Sequence, residues 1–265
     1  MSDKKLLVFP VFSGILTLIV IASFILPLIF AGGVYSLSTN TVAGIILLFL
    51  FYLVTSFVVI FFNVGLIACV YARLQGKEMT VGEGLSTATH HLIAILTWAV
   101  IAATVGLILR MIEDRAGAVG GIAAALVGGA WSLVTFFVVP VFVFEGKGVL
   151  DAIRESWSLF RKTWGESVVG TVSITFVFVA VGILGLLIVL ATLFSGNIIA
   201  FLAVLALFIV FVAILAILAS AMQGIFVAVL YMYARTGVVP EGFSPNLVSG
   251  AFGQAPSQQF SPGNI

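Results

Sequence analysis

Long apolar runs separated by short polar stretches dominate the pattern along this chain. Six of the runs are long enough, at about 18 residues or more, to cross the hydrocarbon core of a bilayer as an α-helix. The predicted spans cover residues 6–30, 41–72, 92–109, 116–144, 167–194 and 198–234. The pattern therefore predicts an all-α fold, a polytopic integral membrane helix bundle with six transmembrane helices.

Two of these spans carry features that predict a distortion of the helix. Pro140 lies near the far end of the fourth span. Because proline removes a backbone donor, it predicts a kink or a local break there. The sixth span would be about 55 Å long as one continuous helix. It is therefore predicted to tilt, to break near Gln223 and Gly224, or to extend beyond the membrane.

Two shorter segments, residues 80–91 and 148–165, are amphipathic. In the second, apolar residues recur every three or four positions, a spacing that gathers side chains on one side of a helix. Its charged residues fall on the other side, and they would oppose insertion into a bilayer. Both segments are predicted to be interfacial elbow helices that lie on the membrane.

The second elbow is predicted to bury its aromatic residues beneath the lipid headgroups, while its basic residues face anionic lipid. The predicted membrane-interface residues are Arg154, Trp157, Phe160, Arg161, Lys162 and Trp164. In a competing interpretation, the apolar face of this helix packs on the protein's own helices and the basic residues are solvated. The sequence leaves both interpretations open.

The fourth span begins with small residues spaced by four positions. They are Gly117, Gly121, Ala125 and Gly129. Such a row allows two helix backbones to approach closely, which is how helices associate where lipid offers no hydrophobic driving force. The row predicts that the fourth span is the packing centre of the bundle.

The middles of the six spans contain no Asp, Glu, Lys, Arg or His, and their strongest polar residues are Asn63 and Gln223. Proton relays and transporters of charged substrates place ionisable residues in such positions. Ion-coupled transport is therefore disfavoured, whereas a pathway for a neutral or lipid-like molecule stays open. The ordinary interpretation of the two amides is a hydrogen bond between helices.

Composition places the chain in a lipid bilayer, since 62% of its residues are hydrophobic, 8% are charged and the mean hydropathy is +1.32. A net charge of +1 argues against nucleic acid as a partner. Cys69 is the single cysteine, and the two histidines, His90 and His91, lack metal-ligand spacing. The sequence thus predicts no catalytic residues, no metal site and no cofactor.

The positions of the Lys and Arg residues predict how the chain is oriented in the membrane. With the N-terminus in the cytoplasm, nine of the eleven Lys and Arg residues are cytoplasmic, and only Arg110 and Arg115 lie outside. The positive-inside rule then predicts a multi-pass protein of the cell membrane with both termini cytoplasmic. Residues 236–265 are predicted to form a flexible cytoplasmic tail.

Val81 in the first elbow and Val149 in the second lie 68 residues apart, which suggests repeated span pairs.

Two stretches of the chain carry a resemblance to known families. They are FNVGLIACVYARLQG, followed by VGEGL, and WSLVTFFVVPVFVFEGKGVLDAIRESWSLFRKTWGE. Between Phe62 and about Gly170 the chain resembles an uncharacterised family of prokaryotic multi-pass membrane proteins, a domain of unknown function. The elbow pattern is also similar to the membrane domain of some glycerophosphodiester phosphodiesterases. The first resemblance implies a six-span bacterial or archaeal membrane protein, and it transfers no functional residues.

These observations favour a non-enzymatic membrane scaffold or assembly partner, which would bind an unidentified membrane protein or a second copy of itself. The alternative is a permease or channel-like carrier for a neutral or lipid-like small molecule. A water-accessible cavity around Asn63 and Gln223 would favour this alternative.

Overall fold

The computed structural model describes residues 4–30, 41–162, 164–194 and 196–237, and for residues 4, 116–118 and 164–174 it describes the backbone alone. After a single 3₁₀ turn, eight helices follow one another. They are α1 (Val8–Phe30), α2 (Val42–Leu74), α3 (Val81–His90), α4 (Leu92–Val134), α5 (Val138–Glu145), α6 (Val149–Lys162), α7 (Trp164–Leu193) and α8 (Ile198–Thr236). The described residues contain no strand. The predicted tail lies outside the described residues after Gly237.

Six helical segments in the described part of the chain are long and apolar enough to cross a membrane. They are Lys5–Phe30, Val42–Leu74, Leu92–Arg115, Val119–Glu145, Thr175–Leu193 and Ile198–Thr236. The prediction of an all-α, polytopic membrane bundle is confirmed. The two amphipathic segments form the short helices α3 and α6, which connect spans.

Helix α4 contains two spans because the chain reverses within it. The rings of Trp98 and Trp131 stack with centroids 5.8 Å apart, although a straight helix would separate the two residues by about 50 Å. Similarly, a Cβ on Gly128 would lie 3.3 Å from Leu109 Cδ1. The third and fourth spans are therefore antiparallel neighbours.

The predicted distortion near Pro140 takes the form of a break between α4 and α5. Helix α4 ends at Val134 and α5 begins at Val138, two residues before the proline. Pro140 has no N–H to donate to the carbonyl of Phe136, so a regular helix cannot continue through this point with all its hydrogen bonds. Helix α8, in contrast, runs unbroken past Gln223 and Gly224. The break that the sequence allowed in the sixth span does not occur.

The buried core lies towards one end of the bundle, where α3 and α6 pack against the spans. In α2, residues 64–70 are all buried. Phe9 of α1, residues 138–143 of α5 and residues 228–231 of α8 complete this core. The opposite halves of α1 and α8 expose large apolar side chains, as expected of helices that face lipid.

Helices α2 and α3 approach each other closely, since a Cβ on Gly84 would lie 3.0 Å from the carbonyl oxygen of Gly65. A Cβ on Gly65 would lie 2.6 Å from the ring of Phe9, and one on Gly84 would lie 2.6 Å from Cys69 Sγ. Both glycines are therefore needed for α2 and α3 to pack around these side chains.

The small residues of the fourth span do not make such contacts. A Cβ on Gly121 or Gly129 would meet nothing within 4 Å, and Ala125 is exposed. The side-chain surroundings of Gly117 lie outside the described part of the structure. Within the described residues the packing centre is thus α2. The predicted centre in the fourth span is not found there, because Gly121, Ala125 and Gly129 do not lie in a helix contact between described residues.

The 68-residue repeat has a structural counterpart. Helix α3 buries Gly84 and Ala88, and α6 buries Ala152 and Ser156 at the equivalent positions. The second, fourth and sixth spans are each followed by a glycine with positive φ, at Gly76, Gly146 and Gly237. A left-handed conformation of this kind is most easily adopted by glycine, and it ends a helix sharply.

Candidate functional site

A cavity of about 340 Å³ lies between α1, α2 and α8. It contains both of the polar intramembrane residues selected from the sequence, Asn63 of α2 and Gln223 of α8. The other residues that line it are Phe9, Pro10, Ser13, Val59, Phe62, Leu66, Ser220, Gly224 and Val227. The structure therefore brings together two amides that are 160 residues apart in the sequence.

Gly224 allows α8 to approach α2 at this point. A Cβ on Gly224 would lie 2.5 Å from Leu66 Cδ2, which is closer than real Cβ contacts. The same position is 3.6 Å from Asn63 Oδ1. Because Gln223 precedes Gly224 in the helix, the close approach also places Gln223 at the cavity.

The amides of Asn63 and Gln223 form no hydrogen bond with any other described residue. The ordinary interpretation, a hydrogen bond between the two helices, is therefore not realised. An amide in an apolar environment costs about 1–3 kcal/mol when it has no partner. Each amide offers donors and an acceptor, so a molecule with complementary groups would gain from entering the cavity.

None of the described residues that line the cavity is ionisable. The walls are a mixture of apolar side chains with amides and with the hydroxyls of Ser13 and Ser220. Such a surface suits a ligand with an apolar body and an uncharged polar group, because a charge would remain unpaired in a low-dielectric site. Elsewhere in the described residues, no group of three or more His, Cys, Asp and Glu side chains is arranged to hold a metal ion.

An ion network joins α5, α6 and α8 at the end of the bundle that holds the core. Lys147 Nζ lies 2.9 Å from Glu145 Oε2 and 3.1 Å from Glu155 Oε2. The guanidinium of Arg235 is 2.8 Å from Glu155 Oε1 and also pairs with Glu145. The hydroxyl of Tyr231 donates to Glu145 at 2.8 Å. Hydrogen bonds to Glu145 and then to Glu155 raise the pKa of Lys147.

Sequence analysis missed this network. Its two acids and two bases come from the end of α5, the turn after it, α6 and the end of α8, and no fixed spacing links them. The one available signal was that these charges occur at the ends of apolar spans. The network positions α8, and hence Gln223, relative to α5 and α6.

The predicted membrane-interface residues divide into two groups on α6. Phe160 is only 4% exposed and packs inside the protein, so its predicted place beneath the headgroups is wrong. It shares the buried face of α6 with Val149, Ala152, Ser156 and Leu159. The competing interpretation, that the helix packs on the protein's own helices, is correct for this face.

The remaining interface residues of α6 face outward. Trp157 is 41% exposed, and the guanidinium carbon of Arg161 lies 5.6 Å from the centre of its ring. The Arg154 side chain is 81% exposed and pairs with Asp151 at 3.0 Å. Lys162 is exposed as well, while the side chain of Trp164 lies outside the described part of the structure.

Fold and cavity together define a polytopic, all-α membrane protein with a mixed polar and apolar site between its helices. The model of a family described as a family of unknown function (DUF6159) matches residues 42–242, which is more than half of the chain. The chain belongs to this family. No curated protein and no solved structure matches it, and the resemblance to glycerophosphodiester phosphodiesterases is not supported by these comparisons.

Proposed function

We propose that this membrane protein binds a neutral or lipid-like molecule between α1, α2 and α8, as a carrier of the permease type, and that it is not an enzyme. The observation that carries the proposal is the cavity that the amides of Asn63 and Gln223 line together with apolar side chains. From the sequence, a water-accessible cavity at these two residues would favour a permease over a scaffold.

The size and chemistry of the cavity agree with this function. Pockets for small molecules have volumes of about 300–1,000 Å³, with apolar walls and a few polar groups that orient the ligand. The cavity at about 340 Å³ falls at the lower end of this range. The parts of α1 and α8 beyond the cavity expose apolar side chains, and the proposal therefore has the ligand enter from the lipid phase.

The proposal is tested by equilibrium binding of a radiolabelled monoacylglycerol to the protein purified in detergent. Replacing both amides, Asn63→Leu with Gln223→Leu, should weaken binding at least about fivefold, since each lost hydrogen bond contributes about 0.5–1.5 kcal/mol. Ser13→Ala should weaken it by a smaller factor. Ser23→Ala is the matched control on α1, because the Ser23 hydroxyl donates to Val20 O outside the cavity. Equal binding by all four proteins would refute the proposal.

A second candidate function is that of a membrane scaffold or assembly partner. It is favoured by the row of small residues on the fourth span, where a Cβ on Gly121 or Gly129 would meet no described atom within 4 Å and Ala125 is exposed. A helix of another membrane protein, or of a second copy, would be able to approach this row closely. Gly121→Leu should then abolish co-purification or dimerisation, while Ala206→Leu on the exposed side of α8 should not.

We also propose that the protein lies in the cell membrane with both termini in the cytoplasm and that α6 contacts anionic lipid. The nine-to-two distribution of basic residues supports the orientation. Single cysteines at Ser38, Lys147 and Ser257, in a Cys69→Ala background, test it with an impermeant thiol reagent on intact cells. Only Ser38 should react. Ser38 and Ser257 lie outside the described residues.

A further inference from the structure

A second cavity, of about 310 Å³, lies between α7 and α8. Phe178 and Gly182 line it from α7, and Leu215 and Ala216 line it from α8. Gln223 lines both cavities, so the two meet at this side chain. The walls of the second cavity are apolar except for Gln223 and Thr175.

The two cavities follow α8 one after the other. The first faces residues 220–227 of α8, nearer the end of the bundle with the core, and the second faces residues 212–223. At 1.5 Å per residue the second cavity runs about 16 Å along the helix. The space beside Gly182 is free, because a Cβ there would meet nothing within 4 Å. A cavity with mixed polar and apolar walls is thus followed along α8 by an apolar groove.

We infer that the ligand is a neutral single-chain amphiphile of the monoacylglycerol type, whose hydroxyl and ester groups bind Asn63 and Gln223 and whose acyl chain lies in the groove between α7 and α8. This inference rests on the proposed function and specifies its ligand. The head must be uncharged because no described residue of either cavity is ionisable. One chain is specified because the groove that Gln223 lines lies between α7 and α8 alone. A separate cavity between the same two helices does not include Gln223.

Binding of short-chain and long-chain monoacylglycerols to the detergent-purified protein tests the inference. The wild type should bind the long-chain compound at least about tenfold more tightly, since the added methylenes are buried in the groove. Ala216→Phe fills the groove and should remove this preference without changing the affinity for the short-chain compound. Ala213→Phe is the matched control, because Ala213 is exposed and lines neither cavity.

If Ala216→Phe lowers thermal stability, Gly182→Leu fills the groove from the side of α7 and serves instead. Retention of the chain-length preference in the filled variant would overturn the inference. The proposed function would survive that result, provided that binding still depended on Asn63 and Gln223. If the wild type binds neither compound, both this inference and the proposed function are overturned.

Discussion

Ser156 Oγ accepts a hydrogen bond from the backbone N–H of Phe137 at 2.9 Å, and its hydroxyl donates to the carbonyl of Val134 at 2.7 Å. Ser156 lies on α6 and is completely buried, whereas the two backbone groups flank the break between α4 and α5. A side chain of the elbow helix thus supplies the partners that the broken span lacks. Without it, both groups would be unsatisfied in the core.

Ser156→Ala should lower the free energy of unfolding by about 1–3 kcal/mol, because it leaves a buried donor and acceptor without partners. Ser158→Ala, two residues further along α6 on its partly exposed side, is the control and should be nearly neutral. Unfolding in mixed detergent micelles measures both. Equal stability of the two variants would show that the hydroxyl does not support the break.

The ion network should couple α6 to α8. In a double-mutant cycle, Glu155→Gln and Arg235→Gln should show a coupling of about 0.5–3 kcal/mol, as residues that share one network do. The exposed pair Asp151 and Arg154 on the same helix provides the comparison and should couple by less than about 1 kcal/mol. A coupling in the first pair no larger than in the second would contradict the role of the network.

The N-terminus of α3 protects Cys69. Thr80 caps this helix by accepting from the Glu83 N–H at 3.2 Å, while the Thr80 N–H donates to the Glu83 carboxylate at 2.7 Å. Cys69 is buried beneath this turn, with Sγ 3.6 Å from Thr80 O. Thr80→Ala should raise the rate of Cys69 labelling by a thiol reagent about fivefold, the effect of losing a typical cap. Thr87→Ala, in the same helix but outside the cap, should not.

Acid should also weaken this cap. The hydrogen bond from the Thr80 backbone lowers the pKa of Glu83. A lowered pKa means that the contribution to stability is present above the ordinary glutamate value of about 4.3 and is lost as the pH falls through the folded value. The helical signal of α3, followed by NMR, should therefore persist at the ordinary glutamate value and decrease only as the pH falls below it. Glu83→Gln should abolish this loss of helical signal at low pH. If the loss persists in the variant, a group other than Glu83 causes it.

The exposed basic residues of α6, Arg154 and Arg161, should stabilise the protein through contact with anionic lipid. Phosphatidylglycerol should raise the thermal midpoint of the wild type more than phosphatidylcholine does, because each basic group near an anionic surface contributes about 1 kcal/mol. Arg154→Gln with Arg161→Gln should remove most of the difference, and so should high salt. Arg110→Gln with Arg115→Gln, at the opposite end of the third span, is the matched control. An unchanged lipid effect in the α6 variant would refute the contact.

Much of the fold could be predicted because it depends on local pattern. Apolar length identified the six spans, and Pro140 indicated the break. The burial of Phe160 could not be foreseen, since periodicity shows which side of α6 is apolar but not how much of that side the protein covers. The packing centre was misplaced because small residues permit close contact without requiring it. Only the three-dimensional approach at Gly65 and Gly84 shows where contact occurs.

The polar residues of the candidate site could be predicted from the sequence, but the cavity that they share could not. Asn63 and Gln223 stood out as polar groups in apolar spans, and the lack of ionisable residues limited their ligand to a neutral molecule. That they share one cavity depends on the fit of Gly224 against Leu66, which no spacing in the sequence encodes. The network of Glu145, Glu155 and Arg235 could not be predicted either, because no sequence spacing links residues of these separate helices.

Photo-crosslinking tests the central claim, a ligand site between α1, α2 and α8, most directly. A monoacylglycerol that carries a diazirine beside its head group is irradiated with the membrane-embedded protein, and the labelled peptides are mapped by mass spectrometry. The account predicts label concentrated at residues 59–66 of α2 and 220–227 of α8, and loss of that label in the Asn63→Leu, Gln223→Leu protein. Label spread over lipid-facing residues such as Ile188 and Ile209, and unchanged in the double variant, would contradict it.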